Sequence, residues 1–276
     1  MAITAADVNK LRKMTGAGMM DCKKALVETD GDFDAAVDVL RKKGQKVAAK
    51  RGDNETKEGL IFAETTEDGK SGIVFALSCE TDFVAKNSDF NAFVRSLVDV
   101  AMKNMPATKE ELMALNYDDK LTVEEKITEQ IGVIGEKLVI SGYDVVNADL
   151  VVGYNHPGNQ LASMVGLNKA SDTAADAGKQ VAMQVAAMAP IALNKDGVDE
   201  ATIARELEVG RDLAIQEGKP AEMADKIAQG RLGKFFKENT LLSQSFVRDN
   251  KITVEQFLKN SEDGLTVTDF KRLAMA

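Results

Sequence analysis

The chain has 276 residues, of which 44% are hydrophobic and 29% charged, and its formal net charge is −9. This length is enough for one large core or two modest ones, and the acidic balance argues against nucleic acid as the main ligand, because binding phosphates requires a basic surface. Two cysteines in unlike contexts, Cys22 and Cys79, exclude a disulfide framework and are typical of a reducing compartment.

The sequence contains no signal that would direct it to or through a membrane. No run approaches the roughly 18 consecutive apolar residues of a spanning helix, and the N-terminal residues lack the basic and apolar regions of a signal peptide. We therefore expect a cytoplasmic protein without a membrane partner.

Residues suited to catalysis or to metal binding are scarce. A zinc site needs several cysteines and histidines at ligand spacing, whereas His156 is the single histidine. Neither a Walker A phosphate loop nor a dinucleotide-binding glycine fingerprint occurs, and no pair stands out among the many carboxylates. We expect a protein that is not an enzyme, with no catalytic residue, no metal site and no cofactor.

Residues 1–54 are predicted to form a small domain of three short helices. Thr4 is a suitable N-cap for the first helix, and Asp32 is a suitable N-cap for the third. The sequence TGAG at residues 15–18 separates the first helix from the second. In the third helix, apolar residues recur at helical spacing, namely Phe33, Ala36, Val37 and Leu40.

A basic run at residues 41–51 follows and is predicted to be a helix end that passes into a linker, with the domain boundary near residue 54. A basic run of this kind is favourably placed against the negative end of a helix dipole. The alternative is a phosphate-binding segment. We favour the helix end, because the run has no aromatic residue on which a base could stack.

Residues 55–189 are predicted to form a mixed core with antiparallel strands. Two apolar runs flank the turn sequence EDGK at residues 67–70, a pattern typical of a β-hairpin. The Thr-x-x-Glu sequences that begin at Thr108 and Thr122 predict capping boxes that open two helices. Further strands are expected near residues 138–146, 150–156 and 160–167, and a helix is expected near residues 173–189.

Residues 190–236 are predicted to form an antiparallel helical hairpin that protrudes from the core as a coiled-coil arm. A seam is predicted on the first helix at Ile203, Leu207, Gly210 and Ala214, which follow a coiled-coil rhythm. Glycine just past a helix end and proline just inside a start, at residues 218–220, predict the turn. Met223, Ile227 and Gly230 are expected to continue the seam on the second helix.

Residues 237–276 are expected to return to the core. They contain an amphipathic stretch at residues 254–258 and a strand-like run at residues 265–268. The predicted fold class is therefore α+β, with a helical head, a core that contains the strands and a helical arm.

Two segments are candidates for binding a partner. The adjacent Met19 and Met20 cannot both face the core of one helix, so we expect one of them to be exposed as an adaptable contact; the alternative is that both pack internally.

The second candidate is the segment CETDFVAK at residues 79–86, in which Thr81 or Asp82 is a suitable helix cap. Phe83 is either a core residue, which the pattern alone favours, or an exposed anchor for a pocket on a partner.

The two candidate segments resemble the signatures of the elongation factor Ts family. Residues 15–26 read TGAGMMDCKKAL and residues 81–86 read TDFVAK, and the separation between them is the one expected of that family. The shorter sequences IGE, GYNH and GKP, which begin at residues 134, 153 and 218, follow in the expected order. The resemblance covers nearly the whole chain and is strongest before residue 90.

The resemblance implies a fold, a partner and a set of contact residues. The fold is a ubiquitin-associated-like head, an α+β core and a coiled-coil arm. The function is guanine-nucleotide exchange on elongation factor Tu, with no direct nucleotide binding, and a homodimer is an open alternative for the assembly. The implied contacts are Arg12, Met19, Met20 and Lys23 with the GTPase domain of the partner, Thr81, Asp82, Phe83 and Val84 beside its bound Mg²⁺, Ile134 and Gly135 in support of that contact, and His156 toward another domain.

Two other classes of protein are alternatives. A nucleic-acid-binding protein would use residues 41–51, and its affinity would fall steeply with salt. A ubiquitin-type adaptor would bind its target with residues 1–54 alone, whereas an exchange factor needs the core as well.

Overall fold

The computed structural model describes residues 3–276 and has an α+β fold, as the sequence predicts. Its helices are α1 (Ala5–Thr15), α2 (Met19–Glu28), α3 (Phe33–Lys50), α4 (Asp82–Ala85), α5 (Ser88–Asn104), α6 (Lys109–Ala114), α7 (Val123–Ile134), α8 (Asp172–Met188), α9 (Glu200–Gln216), α10 (Ala221–Asn239) and α11 (Val254–Ser261). Its strands are β1 (Glu58–Thr65), β2 (Ser71–Cys79), β3 (Val139–Asn147), β4 (Leu150–Asn155), β5 (Leu161–Leu167), β6 (Ser245–Phe246), β7 (Asp249–Thr253) and β8 (Val267–Ala274).

The first three helices form the head, and their ends are set by the residues expected from the sequence. Thr4 and Asp7 form a reciprocal capping box at the start of α1, and the Asp32 side chain accepts a hydrogen bond from the Ala35 amide at the start of α3. The buried side chains between the helices include Leu11, Cys22, Leu26 and Ala36.

The basic run forms the C-terminal end of the third helix, as the sequence predicts, and the helix includes nearly all of the run. Helix α3 continues through it to Lys50, and Arg51 is the C-cap residue. The reason is tertiary packing: Gly44 is buried where α3 crosses α7, and a Cβ atom placed on Gly44 would lie 2.8 Å from the Thr128 carbonyl oxygen. This crossing gives residues 41–50 a surface to pack against, so they stay helical.

The core contains two three-stranded antiparallel sheets and a small two-stranded ribbon formed by β6 and β7. The strand order is β1–β2–β3 in sheet 1 and β4–β5–β8 in sheet 2. The predicted hairpin is present, with Phe62 opposite Phe75 in the register of β1 and β2. The turn between them is short, and Gly69 within it adopts a left-handed conformation.

The two sheets pack face to face, and helices cover their outer faces. Ile61 and Val74 of sheet 1 meet Val151, Ala162 and Met164 of sheet 2. On its other face, sheet 1 packs against α5 and α7, and sheet 2 packs against α8 and α11. Strands buried on both faces are continuous apolar runs rather than alternating ones, which explains the sequence pattern of β1 and β2.

Helices α9 and α10 pack side by side, joined by a turn, and form the arm. Gly210 and Ala214 of α9 are buried against α10 as predicted. On α10 the prediction is partly wrong: Met223 and Gly230 are exposed, and the buried residues are Ala224, Ala228 and Leu232. Small residues dominate the seam because the two backbones approach closely, so that a Cβ atom placed on Gly210 would lie 3.2 Å from the Ala228 Cα.

The C-terminal strand is longer than the sequence pattern indicates. The strand-like run at residues 265–268 overlaps only the start of β8, which pairs with β5 along its length. The charged residues Asp269, Lys271 and Arg272 interrupt the apolar pattern, so the sequence pattern does not indicate a strand there.

Of the two predicted capping boxes, one is complete and the other is not. Glu125 completes the box with Thr122, whereas the Glu111 side chain accepts a hydrogen bond from the Ala107 amide instead of the Thr108 amide.

Candidate functional site: an exposed segment held at its base

The segment between sheet 1 and α5 presents an aromatic side chain to solvent. Strand β2 ends at Cys79, and Thr81 caps the single-turn helix α4 by accepting a hydrogen bond from the Val84 amide at 3.4 Å. Ala85 faces the core, and the Phe83 side chain is 84% exposed. Phe83 is thus not a core residue, the role that the pattern alone favoured. We call residues 81–84 the wedge.

The base of the wedge is bound by one carboxylate. Glu136, two residues beyond the end of α7, accepts hydrogen bonds from the Glu80 and Thr81 amides, both at 3.1 Å, through one oxygen. Its other oxygen accepts a hydrogen bond from the Thr81 hydroxyl at 2.6 Å. Hydrogen bonds to an ionised carboxylate are shorter and stronger than neutral ones, so the three contacts fix the position where the chain leaves β2.

A second carboxylate, that of Glu80, binds in the opposite direction, from the start of this segment to the chain that follows α7. One oxygen of Glu80 accepts a hydrogen bond from the Lys137 amide at 2.6 Å. The other accepts from Arg51 at 2.7 Å and from the Asn54 side chain at 2.9 Å. Burial alone would raise the pKa of Glu80, but these hydrogen bonds outweigh burial and hold the pKa below its usual value. Glu80 is therefore ionised at neutral pH.

The segment after the head takes part in the same network. The Lys137 ammonium group donates to the Gly52 carbonyl at 2.5 Å and to the Asn54 carbonyl at 2.9 Å. Together with the contacts of Glu80, these bonds join three stretches of chain: the end of α3, the start of the wedge and the end of α7. We call this set the clasp; its side chains belong to Arg51, Asn54, Glu80, Glu136 and Lys137.

Asp82 of the wedge and Lys86, which follows α4, lie on the surface beside Phe83. Their side chains form an ion pair at 2.6 Å, and the hydrogen bond and charge of Lys86 lower the pKa of Asp82. Both side chains are substantially exposed, so they remain accessible to another protein.

Cys79, at the start of this segment, is not a nucleophile. Burial and the nearby charge of Glu136 raise the pKa of its thiol to about 12. The thiol donates a weak hydrogen bond to the Thr81 carbonyl at 3.3 Å. Because the reactive species of cysteine is the thiolate, this residue has a structural role beside the wedge.

The head presents the other predicted contacts. Both methionines at the start of α2 are exposed, Met19 by 59% and Met20 by 63%, whereas the sequence led us to expect only one. They lie in the first turn of α2, where α1 leaves a groove open, and this groove is also lined by Ile3, Val8 and Lys23. Arg12 is exposed on α1.

The end of α7 lies between the head and the wedge. Val133 packs against the head core, while Ile134 packs against the core beneath sheet 1. Gly135 ends the helix with a φ of 83°, and its amide donates to the Ile131 carbonyl at 2.8 Å. The next residue is Glu136, which holds the wedge. Ile134 and Gly135 therefore directly precede the residue that holds the base of the wedge.

His156 directly follows strand β4 of the other sheet. It is exposed at the end of β4, on sheet 2, and its Nδ1 atom is 2.8 Å from the Tyr154 hydroxyl. The predicted contact residues thus belong to the head, the wedge and the α7 end, with His156 on sheet 2.

Sequence reasoning did not single out Glu80 and Glu136 as site residues. They directly precede Thr81 and follow Gly135, but 56 residues separate them in the chain. The only sequence signal was that each carboxylate adjoins a predicted contact segment, and this signal does not say where either side chain binds.

Three of the six basic residues of the run form intramolecular ion pairs. Arg41 pairs with Glu125, Lys43 with Asp21 and Arg51 with Glu80. These pairs dock α3 onto its neighbours, which supports a structural role for the run over nucleic-acid binding.

The described residues form neither a metal site nor a membrane-spanning helix. Within residues 3–276, no cluster of histidine, cysteine or carboxylate side chains could hold a metal ion. In the same range, no helix is both long and apolar enough to cross a membrane.

Comparison with known proteins identifies the family. The family model described as Elongation factor TS matches residues 80–276. The chain is 50% identical over 273 residues to elongation factor Ts of Christiangramia forsetii, covering 99% of this chain and 98% of the relative. It is 52% identical over 274 residues to elongation factor Ts of Amoebophilus asiaticus, with 99% of each chain covered, and 47% identical over 275 residues to that of Porphyromonas gingivalis, with 100% and 99% covered.

The matches to these relatives span both sequence signatures, and the family model covers the segment that carries the exposed Phe83. The chain therefore belongs to the elongation factor Ts family, and it is a nucleotide-exchange factor of translation elongation that acts on elongation factor Tu rather than a catalytic enzyme.

Proposed function

We propose that the wedge performs the exchange step by intruding beside the Mg²⁺ site of GDP-bound elongation factor Tu. Guanine nucleotides are held largely through their phosphates and the metal ion that bridges them. A rigid group that displaces the surrounding elements of the partner weakens the metal coordination without touching the nucleotide. GDP then leaves, and GTP can bind.

The observation that carries this proposal is the exposure of Phe83 on a segment whose base is fixed. A large aromatic side chain that is 84% exposed leaves apolar surface in water, and aromatic anchors often dominate the energy of binding between proteins. The clasp restrains the chain at the base of the wedge, so little conformational entropy is lost when the aromatic ring enters a pocket.

The other predicted residues have supporting roles in the proposal. The exposed Met19 and Met20, with Arg12 and Lys23, contact the GTPase domain and orient the wedge, and the flexible thioethers adapt to its surface. Ile134 and Gly135 contact the partner beside the wedge. His156, on sheet 2, faces a different domain of the partner.

The protein itself holds no nucleotide in this proposal, and linkage fixes the direction of its effect. If the factor lowers the affinity of its partner for a nucleotide, the nucleotide lowers the affinity for the factor by the same ratio. The factor thus accelerates exchange in both directions, and nucleotide concentrations decide which nucleotide is loaded. We place this activity in the cytoplasm, with a homodimer as an open alternative to the monomer.

The proposed domains follow the division predicted from the sequence. They are a ubiquitin-associated-like head at residues 1–54, a core at residues 55–189, a coiled-coil arm at residues 190–236 and a C-terminal return to the core at residues 237–276. The packing of Val133 against the head core supports joint action of head and core, in contrast to an adaptor whose head binds alone.

The test is the release of fluorescently labelled GDP from elongation factor Tu, with full-length protein added at increasing concentration. We expect the wild-type protein to accelerate release and the Phe83→Ala variant to lose most of the acceleration while its circular dichroism spectrum is unchanged. Met14→Ala is the matched control, because Met14 is 54% exposed and lies about 200° around α1 from Arg12.

The two failures of this test have different meanings. If Phe83→Ala accelerates release as the wild type does, the wedge is not the active segment. If Met14→Ala loses as much activity as Phe83→Ala, exposed apolar surface in general is responsible, and the assignment to Phe83 is wrong.

A further inference from the structure

We propose that Glu136 and Glu80 are positioning residues for exchange: their crossed hydrogen bonds keep the wedge in the conformation that presents Phe83. The inference rests on the proposed function of the wedge and deepens it. Glu80 and Glu136 are partly buried, and they bind Thr81 and the adjoining backbone, so each acts through these groups.

The helix that carries Phe83 is too short to be stable by its own hydrogen bonds. Helix α4 has four residues, and a single helical turn is unstable in water because nucleation fixes many backbone angles for few hydrogen bonds. Something outside the helix must therefore select its conformation. Ala85 provides an anchor in the core at its C-terminal end, and the N-terminal end is anchored by the clasp.

Glu136 connects directly to the cap of this helix. The Thr81 hydroxyl donates its hydrogen atom to Glu136 at 2.6 Å and accepts a hydrogen bond from the Val84 amide at 3.4 Å. Because the Thr81 hydroxyl donates its hydrogen to the carboxylate, a lone pair of the hydroxyl oxygen points toward the amides of α4. At 3.4 Å the bond from the Val84 amide to the Thr81 hydroxyl is near the upper limit for a hydrogen bond. It therefore depends on the hydroxyl oxygen presenting a lone pair toward the amide.

Glu80 locks the same junction from the other side. It accepts from the Lys137 amide, while Glu136 accepts from the Glu80 and Thr81 amides. Two chain segments thus hold each other by reciprocal contacts between carboxylates and amides. Relative motion of the segments would break bonds in both directions, so the wedge and the α7 end behave as one unit.

The same bonds link the wedge to the head. Arg51 and Asn54, which follow α3, donate to Glu80, and Lys137 donates to carbonyls at positions 52 and 54. A head bound to the GTPase domain is therefore connected through α3 and the clasp to the point where Phe83 projects.

The experiment measures labelled GDP release with the full-length variants Glu136→Gln, Phe83→Ala and the double variant. Glutamine keeps a carbonyl oxygen for the two amides but removes the charge and the acceptor for the Thr81 hydroxyl. We expect the maximal rate of release at saturating Glu136→Gln to fall about tenfold, the effect of losing one charge-assisted hydrogen bond. The half-saturating concentration should stay within about twofold, because the variant keeps Phe83 and the head contacts.

The double variant separates positioning from a general effect on stability. If Glu136 acts through Phe83, then Glu136→Gln causes no further loss when Phe83 is already alanine. An equal fold-loss in both backgrounds would overturn the inference, as would a normal maximal rate for Glu136→Gln in the wild-type background.

A second variant covers the case in which Glu136→Gln does not fold. Thr81→Val removes only the hydroxyl that joins Glu136 to α4, and it should give the same loss of maximal rate and the same absence of further loss with Phe83→Ala. Its matched control is Thr253→Val, which removes the equivalent cap of α11 and should leave the exchange rate unchanged. Equal losses for these two threonine variants would contradict the inference.

The outcome also distinguishes this inference from the function on which it rests. Normal exchange by Phe83→Ala alone would overturn the role of the wedge and the positioning roles together. Loss of exchange in Phe83→Ala with full activity in Glu136→Gln and Thr81→Val would overturn only the positioning roles.

Discussion

Gly44 of α3 and Gly132 of α7 lie against each other where the two helices cross. A Cβ atom placed on Gly132 would lie 2.7 Å from the Cα of Gly44, which is closer than side-chain atoms approach a backbone. The helices therefore meet backbone to backbone. This contact holds the C-terminal half of α3 on the core, and it sets the position of the head relative to the α7 end and the wedge.

Replacing glycine by alanine should have opposite effects on stability at Gly44, which lies at this crossing, and at Gly230, which does not. Glycine to alanine in an exposed helix interior usually stabilises by up to about 1 kcal/mol, so Gly230→Ala on α10 should stabilise, because its Cβ atom would meet no atom within 4 Å. Gly44→Ala should destabilise by about 1–3 kcal/mol, since overpacking forces the backbone to shift. Urea unfolding followed by circular dichroism measures both, and a stabilising Gly44→Ala would contradict the observed crossing.

The exposed methionines of the head predict a loss of affinity without a loss of stability. The variant with both Met19→Ala and Met20→Ala should unfold within about 0.5 kcal/mol of the wild type, because exposed side chains contribute little to the fold. Its half-saturating concentration in the exchange assay should rise about tenfold, the scale of interface anchors. Met14→Ala serves as the control here too, and an unchanged half-saturating concentration in the double variant would remove these methionines from the interface.

The buried thiol of Cys79 predicts a loss of stability at alkaline pH. Its pKa is raised from 9.0 to about 12 in the fold, so the native state keeps the proton that the unfolded chain releases. The stabilisation is complete below about pH 9 and declines as pH rises toward 12, by up to about 1.4 kcal/mol per pH unit. Cys79→Ala should therefore lose less stability than the wild type between pH 8 and 10.5 in urea titrations.

Comparing the wild type with Cys79→Ala cancels the contributions of other groups that ionise at alkaline pH. Tyr143, whose pKa burial also raises to about 12, is present in both and contributes equally. An identical decline in the wild type and in Cys79→Ala would show that the thiol ionises as readily in the fold as in the unfolded chain.

The close seam of the arm predicts that a larger residue would loosen α9 and α10 selectively. In Gly210→Val the new Cβ atom would lie 3.2 Å from the Ala228 Cα, and the valine methyl groups add further bulk. Amide hydrogen exchange should become faster throughout the arm while amides of α5 and β2 keep their protection. Faster exchange in α5 and β2 as well would show that the arm and the core unfold together.

The prediction of elements succeeded where local signals determine the structure. The caps at Thr4, Asp32 and Thr122 set helix starts through contacts three residues away. The prediction failed where distant packing overrides local pattern. Strand β8 extends well past residue 268 because β5 offers a strand edge.

The sequence by itself determined the α+β class, the candidate segments and the family, because these depend on residue types at short spacing and on motifs in a fixed order. Only the tertiary structure decided that Phe83 is exposed, that both methionines of α2 face solvent and that Glu80 and Glu136 bind each other's segments. The physical reason is that exposure and long-range hydrogen bonds depend on what the remainder of the chain places beside a residue. No local pattern carries that information.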